Sequence, residues 1–153
     1  MQGQRGNNRL TTRLVDQLYV EAMVLADEVR TYFDEAGRAE RDMLPPVRRV
    51  TFSCESLKVT TRLMHVIAWL LTRRAVEAGE ISFTQAREPS RRLGHAAGSE
   101  SASLTDLPHM ARELIEASLD LYARVERIDQ DIDNPVIPPS PARGLLRRLE
   151  RAF

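Results

Sequence analysis

The sequence has few of the residues that cross-link or catalyse in small proteins. Cys54 is the only cysteine and Trp69 the only tryptophan in 153 residues, and aromatic residues make up 5% of the chain. A single cysteine cannot form a disulfide within the chain, which is typical of a protein kept in a reducing compartment. We therefore expect a cytoplasmic protein in which Cys54 is a small buried apolar side chain.

The chain also has no excess of positive or negative charge. The 22 basic and 22 acidic residues give a formal net charge of zero, so attraction of the whole molecule to nucleic acid or to an anionic membrane is not expected. The most apolar run, Leu63 to Leu71, is interrupted by His65 and is shorter than the ~20 residues that a membrane span needs. The polar first ten residues lack the apolar core of a signal peptide.

Motifs for catalysis or for metal binding are absent from the sequence. The histidines are too far apart for a helical metal pair, and no cysteine accompanies them: His65, His95 and His109. The acidic segment 129–133 resembles the start of a calcium loop, but Asn134-Pro135 and an apolar run replace the glycine and the final glutamate that the loop needs. The sequence therefore predicts no enzyme, no cofactor and no metal, and a solvated helix end at 129–133.

One long helix from Val50 to Ala78 is predicted at the centre of the chain, between Pro45-Pro46 and Gly79. Apolar and small residues recur in it at steps of four and three and form one seam: Val50, Cys54, Leu57, Thr61, Met64, Ala68, Leu71 and Ala75. A second apolar set lies beside the seam: Val59, Leu63, Val66, Ile67 and Leu70. So wide an apolar arc must be covered from two directions, and we expect Leu63 and Met64 in the core.

Two further helices flank the central one. The first is predicted from Thr12 to Ala36, ended by Gly37, and the last from near Thr105–Pro108 to the stop at Asn134-Pro135. Ser82 and Gln85 have the spacing of a capping box, which indicates a short helix before Pro89. The predicted fold is all-α: an antiparallel three-helix bundle with a short extra helix between helices two and three, assembled as a dimer.

The domain boundaries follow from these elements. Residues 1–10 are polar and predicted to be disordered, and 11–137 form the three-helix bundle domain. Residues 138–153 form a Pro-rich linker and a basic amphipathic tail, which could fold on a partner, on a membrane surface or back on the bundle.

The remaining side of the central helix is polar and is the candidate partner-binding surface. It carries Glu55, Lys58, Arg62, Trp69 and Arg73. Tryptophan and arginine dominate the energy of many protein contacts, which favours an interface. The alternative is that Trp69 packs within its own bundle and that Arg62 is an internal strut held by a carboxylate of another helix.

The central segment also carries a family resemblance. The matching positions are Glu55-Ser56, Thr60-Thr61-Arg62-Leu63-Met64, Trp69-Leu70-Leu71, Ala75-Val76 and Gly79-Glu80. They resemble the signature segment of the regulator of CtrA degradation (RcdA) family of alphaproteobacteria. The resemblance implies a dimeric three-helix bundle that acts as an adaptor. By the same resemblance, it would help the protease ClpXP to destroy the cell-cycle regulator CtrA, together with CpdR and PopA.

An alternative function is a nucleic-acid-associated helical regulator that uses its Arg-rich termini. Arginines cluster near both ends: Arg5, Arg9, Arg13, Arg143, Arg147, Arg148 and Arg151. No recognition helix is evident, and the net charge is zero. A steep salt dependence of DNA binding would favour this alternative.

Overall fold

The computed structural model describes residues 2–133 and 141–152, which are helical with short connections. Its α-helices, in chain order, are α1 Gln2–Asp34, α2 Ala36–Asp42, α3 Pro46–Glu77, α4 Phe83–Ala86, α5 Ser101–Leu104, α6 His109–Asp133 and α7 Pro141–Ala152. One 3-10 turn, Pro89–Arg91, lies between α4 and α5. The predicted all-α class is confirmed, and the predicted linker at 138–140 lies outside the described residues.

The three long helices α1, α3 and α6 form a bundle in which every pair is in contact. α1 and α3 are antiparallel, because Asp16 in the middle of α1 pairs with Arg74 near the end of α3, whereas the later Phe33 contacts Phe52 near the start of α3. α6 runs parallel to α3, since Arg62 contacts Ser118 and the later Trp69 contacts Asp129. This parallel pair differs from the alternating order expected for a simple antiparallel bundle. It is made possible by a connection long enough to return along the bundle.

The ends of α3 and α4 follow the signals in the sequence. Pro46 is the first residue of α3, where a missing N–H costs nothing. After Ala78, Gly79 has φ +74, and the amides of Gly79 and Glu80 bond to the carbonyls of Val76 and Ala75. This is a Schellman motif. Both halves of the predicted capping box of α4 are present as well.

The first helix differs from its predicted bounds at both ends. It begins at Gln2, so residues 2–10, which were expected to be disordered, are helical. At the other end Gly37 does not end a helix but lies buried inside α2. A Cβ at Gly37 would lie 2.7 Å from the backbone oxygen of Tyr32, so glycine is there because the two turns pack closely.

The buried residues confirm most of the apolar faces predicted for the first and last helices. They show that the face predicted for the central helix was wrong. The second apolar set of α3 is inside, with Val59, Leu63, Val66 and Leu70 buried. The seam predicted to be core faces outward: Val50, Leu57, Met64 and Leu71 are exposed, and so is Cys54. The prediction was wrong because α3 has two apolar faces and periodicity alone does not say which one its own chain covers.

We expect Leu63→Ala to lower the free energy of unfolding by about 2–5 kcal/mol, because it empties a packed site between α1 and α3. Val20→Ala is the control, since Val20 is 61% exposed on α1; it should change stability by less than about 0.5 kcal/mol. Urea melts of both variants measure the difference. Equal changes in the free energy of unfolding for the two variants would show that Leu63 is not packed between α1 and α3.

Candidate functional site

The side of α3 predicted to be a free polar surface faces inward. Glu55, Arg62, Trp69 and Arg73 are at most 8% exposed, and only Lys58 reaches solvent. They lie beside α6 and beside residues 92–99, which we call the strap. Of the two interpretations drawn from the sequence, packing within the bundle agrees with this burial. A partner-binding role therefore cannot rest on this row of residues as an open surface.

Arg62 is the centre of the buried polar cluster. Its Nε and Nη2 donate to the carbonyl oxygen of Ala97 at 3.2 and 2.9 Å, and Nη2 also donates to Ser99 Oγ at 2.6 Å. Nη1 donates to Ser118 Oγ of α6 at 3.1 Å. Burial lowers the pKa of the guanidinium, and the charge of Glu55 opposes that shift. The internal alternative drawn from the sequence gave Arg62 a carboxylate partner, but in the structure a carbonyl and two hydroxyls hold it.

Glu55 completes this cluster from about two turns earlier on α3. Its carboxylate accepts hydrogen bonds from the Ser99 hydroxyl and, at 3.0 Å, from Lys58 Nζ. Ser99 thus links a buried anion to a buried cation, so each charge has hydrogen-bonding partners as buried charges require. The strap is fixed to α3 by these bonds.

Trp69 makes the second buried contact, seven residues after Arg62 on α3. Its Nε1 donates to Asp129 Oδ1 of α6 at 2.7 Å, and Arg92 Nε of the strap donates to the same oxygen at 2.8 Å. Asp129 was expected in a solvated helix end, but it is 8% exposed. The correction has a physical cause: two donors from distant parts of the chain satisfy its charge.

The strap runs back along the groove between α3 and α6. Tyr122 of α6 donates to the carbonyl oxygen of Gly94 at 2.7 Å. A Cβ at Gly94 would lie 2.7 Å from Nδ1 of His65 on α3, so only glycine allows the strap to pass this close. Sequence reasoning missed these contacts, although two glycines and several small residues in the connection were a signal of close backbone approach.

The outward side of α3 forms a second candidate surface. We call it the outer face, defined as Val50, Cys54, Leu57, Thr60, Thr61, Met64, Ala68, Leu71, Thr72 and Ala75. None of these side chains is charged. The hydroxyls of Thr60, Thr61 and Thr72 donate to the carbonyl four residues earlier, at 3.0–3.1 Å. Because these hydroxyls are already engaged with the backbone, the threonines behave nearly as apolar residues.

No group of three His, Cys, Asp or Glu side chains in residues 2–133 and 141–152 could hold a metal ion. Across the same residues, no helix is both long enough and apolar enough to span a bilayer.

Comparisons with known proteins match nearly the whole chain. The model of a family described as protein of unknown function (DUF1465) matches residues 6–153. Among solved structures, the chain is similar to RcdA from Caulobacter crescentus CB15, with 33% sequence identity and a TM-score of 0.65. The similarity covers 78% of this chain and 90% of that chain. No curated protein sequence matches significantly.

We expect Arg62→Ala to destabilise the fold by about 3–5 kcal/mol, because Glu55 and the Ala97 carbonyl would stay buried without their cation. Lys58→Ala is the control, since its side chain is 35% exposed, and it should cost no more than about 1 kcal/mol. Circular-dichroism melting measures both. If Arg62→Ala melts like the parent protein, Arg62 does not hold the strap.

Proposed function

The chain belongs to the DUF1465 family and is RcdA-like, and from this premise we propose that it is a non-enzymatic adaptor that acts by binding other proteins as a homodimer. In the finer form of the proposal, it assists ClpXP in degrading a CtrA-like transcription regulator, in company with CpdR-like and PopA-like proteins. The resemblance in segment 55–80 supports this finer form.

The observation that carries the proposal is the outer face of α3. Val50, Leu57, Met64 and Leu71 are 64%, 68%, 64% and 48% exposed, and they are spaced seven residues apart. An uncharged apolar row over seven turns of helix is typical of a surface that another protein covers. A seven-residue repeat is the spacing with which two helices pack along their length.

A second copy of the chain fits this face best. The large residues alternate with small ones, Cys54, Thr61, Ala68 and Ala75, so the ridges of one copy match the hollows of the other. The same patch can meet itself across a two-fold axis because no like charges would be opposed. Burying the four large side chains of each copy would contribute about 1.5–3 kcal/mol per fully buried side chain before the cost of association.

We expect sedimentation equilibrium at micromolar concentration to show a dimer of the 17.4 kDa chain. Met64→Glu should convert it to a monomer, because two carboxylates would enter an apolar interface without partners. Met110→Glu is the matched control: Met110 is 46% exposed on α6, beside a groove with α1 and not on the outer face. A dimer that survives Met64→Glu would remove α3 from the interface.

The adaptor role is tested separately by degradation of a CtrA-like regulator with purified ClpXP. Added protein, with its CpdR-like and PopA-like partners, should accelerate loss of the substrate, and Met64→Glu should reduce that effect while Met110→Glu should not. Degradation that is unchanged by the wild-type protein would contradict the finer form of the proposal and leave the dimer prediction standing.

A further inference from the structure

The large and the small side chains of the outer face form two adjacent rows along α3. The large row is Val50, Leu57, Met64 and Leu71, and the small row is Cys54, Thr61, Ala68 and Ala75. Ala75 is half-buried and the others are exposed. Each small residue follows a large one by four positions. Because positions four apart lie on the same side of a helix, the small row forms a shallow groove beside the ridge of the large row.

Two copies of this face can meet in two directions, which differ in the side chains that they bring together. In a parallel pair, equal positions face each other, so large residues meet large ones and small residues meet small ones. The interface would then alternate between crowded and hollow layers, and both lower the packing energy. In an antiparallel pair, the ridge of each helix can lie in the groove of the other. The outer face is therefore complementary to itself in the antiparallel direction.

One antiparallel register places a small residue opposite every large one. The facing pairs across the interface are Met64 with Thr61, Leu57 with Ala68, Leu71 with Cys54 and Val50 with Ala75. A shift by seven residues in one direction would instead bring Leu71 against Val47, which is also a large exposed residue. A shift in the other direction would carry Val50 past Glu77, the last residue of the facing helix. The pattern thus favours a single register.

The edges of the outer face do not oppose this pairing. Three cations beside the face are each paired within their own copy: Arg30 with Asp27, Lys58 with Glu55 and Arg74 with Asp16. Asp34, which lines the groove beside Met64 together with Arg30, is exposed, and so is Arg49 near Val50. The outer face itself contains no charged residue. Contact between two outer faces therefore buries no charge at its centre.

We propose that two copies of the chain pair through α3 in antiparallel orientation, with Met64 of each copy packed against Thr61 of the other beside a two-fold axis. This inference rests on the homodimer in the proposed function and adds the direction and the register of the pairing. Small residues opposite large ones would let the two helix axes approach to about 8 Å, the short end of the usual range.

This orientation also decides which sides of the two copies are neighbours. The strap lies on the side of α3 that carries Arg62 and His65, and α1 lies on the side of Leu63 and Ile67. The two-fold axis is perpendicular to both copies of α3, so it leaves each side facing the same way. Both straps would thus lie on one side of the dimer and both α1 helices on the other.

The native cysteine can report the register. Cys54 is exposed and in this register faces Leu71 of the other copy, so Leu71→Cys places two thiols opposite each other. Diamide takes two protons and two electrons from such a pair, which forms one disulfide. We expect non-reducing electrophoresis to show a covalent dimer of Leu71→Cys that forms at least about tenfold faster than in proteins with one thiol per chain, because disulfides need closely placed Cβ atoms.

The matched controls each keep one thiol of the pair. The parent protein has Cys54 alone, and Cys54→Ala/Leu71→Cys has the new thiol alone. In the antiparallel register, either thiol lies about 25 Å along the helix from its own copy in the other chain, so neither protein should form a covalent dimer. In a parallel pair, equal positions would face each other and both controls would cross-link, which would overturn the proposal.

A second thiol pair tests another layer without position 71. Leu57→Cys/Ala68→Cys in a Cys54→Ala chain should cross-link as Leu71→Cys does, because residues 57 and 68 face each other in the same register. Adding Met64→Glu to Leu71→Cys should slow cross-linking at least about tenfold, since the unpaired carboxylate opens the interface. Equally fast cross-linking with Met64→Glu would show random collision, and the proposal would fail.

Sedimentation of the same proteins separates the register from the homodimer. A dimer in solution that gives no covalent product with either thiol pair would overturn the antiparallel register and leave the homodimer standing. A monomer at micromolar concentration would contradict the homodimer itself, and the register would fall with it. Covalent dimers from both thiol pairs, and none from the single-thiol controls, would establish the proposed pairing.

Discussion

The rotation of α3 about its own axis is the constraint on which the rest of the molecule depends, and the buried guanidinium of Arg62 fixes it. A buried cation must keep its acceptors, and those of Arg62 come from the strap and from α6. Any rotation that exposed Arg62 would break these bonds and strand Glu55 as well. Because Arg62 points inward, Leu63 and Val66 enter the core and Met64 is left outside.

Much of the fold was predictable because its signals are local. The Schellman glycine, the capping box and Pro46 at the start of α3 each act within one turn of helix. The wrong orientation of α3 has an equally physical cause. The sequence left Trp69 and Arg62 between an open surface and the bundle interior, because the acceptor that holds Trp69 is 60 residues away and those that hold Arg62 are 35 to 56 residues away. Periodicity contains no information about such distant partners.

Arg62 and Arg73 lie three turns apart on the same side of α3 and show two outcomes for a buried cation. The strap passes over Arg62 and supplies a carbonyl and a hydroxyl, and α6 supplies a second hydroxyl. Each nitrogen of that guanidinium therefore donates to an acceptor within the fold. Nε and Nη2 of Arg73 have no hydrogen-bond partner among the described residues, and Asp129 nearby accepts from Trp69 and Arg92 instead. The first arginine is therefore held by hydrogen bonds, whereas the second is held by the contacts of its guanidinium with the rings of Trp69 and Phe83.

The outer face and the buried polar cluster lie on opposite sides of α3. Met64 and Arg73 are nine residues apart, which at about 100° per residue places them about 180° apart around the helix. Pairing two copies through the outer face, as proposed, would therefore leave the hydrogen bonds of Arg62 and Trp69 to the strap and to α6 unchanged. A charge placed at position 64 should then act on the assembly of two copies, whereas loss of the Arg62 guanidinium should act on the stability of each copy.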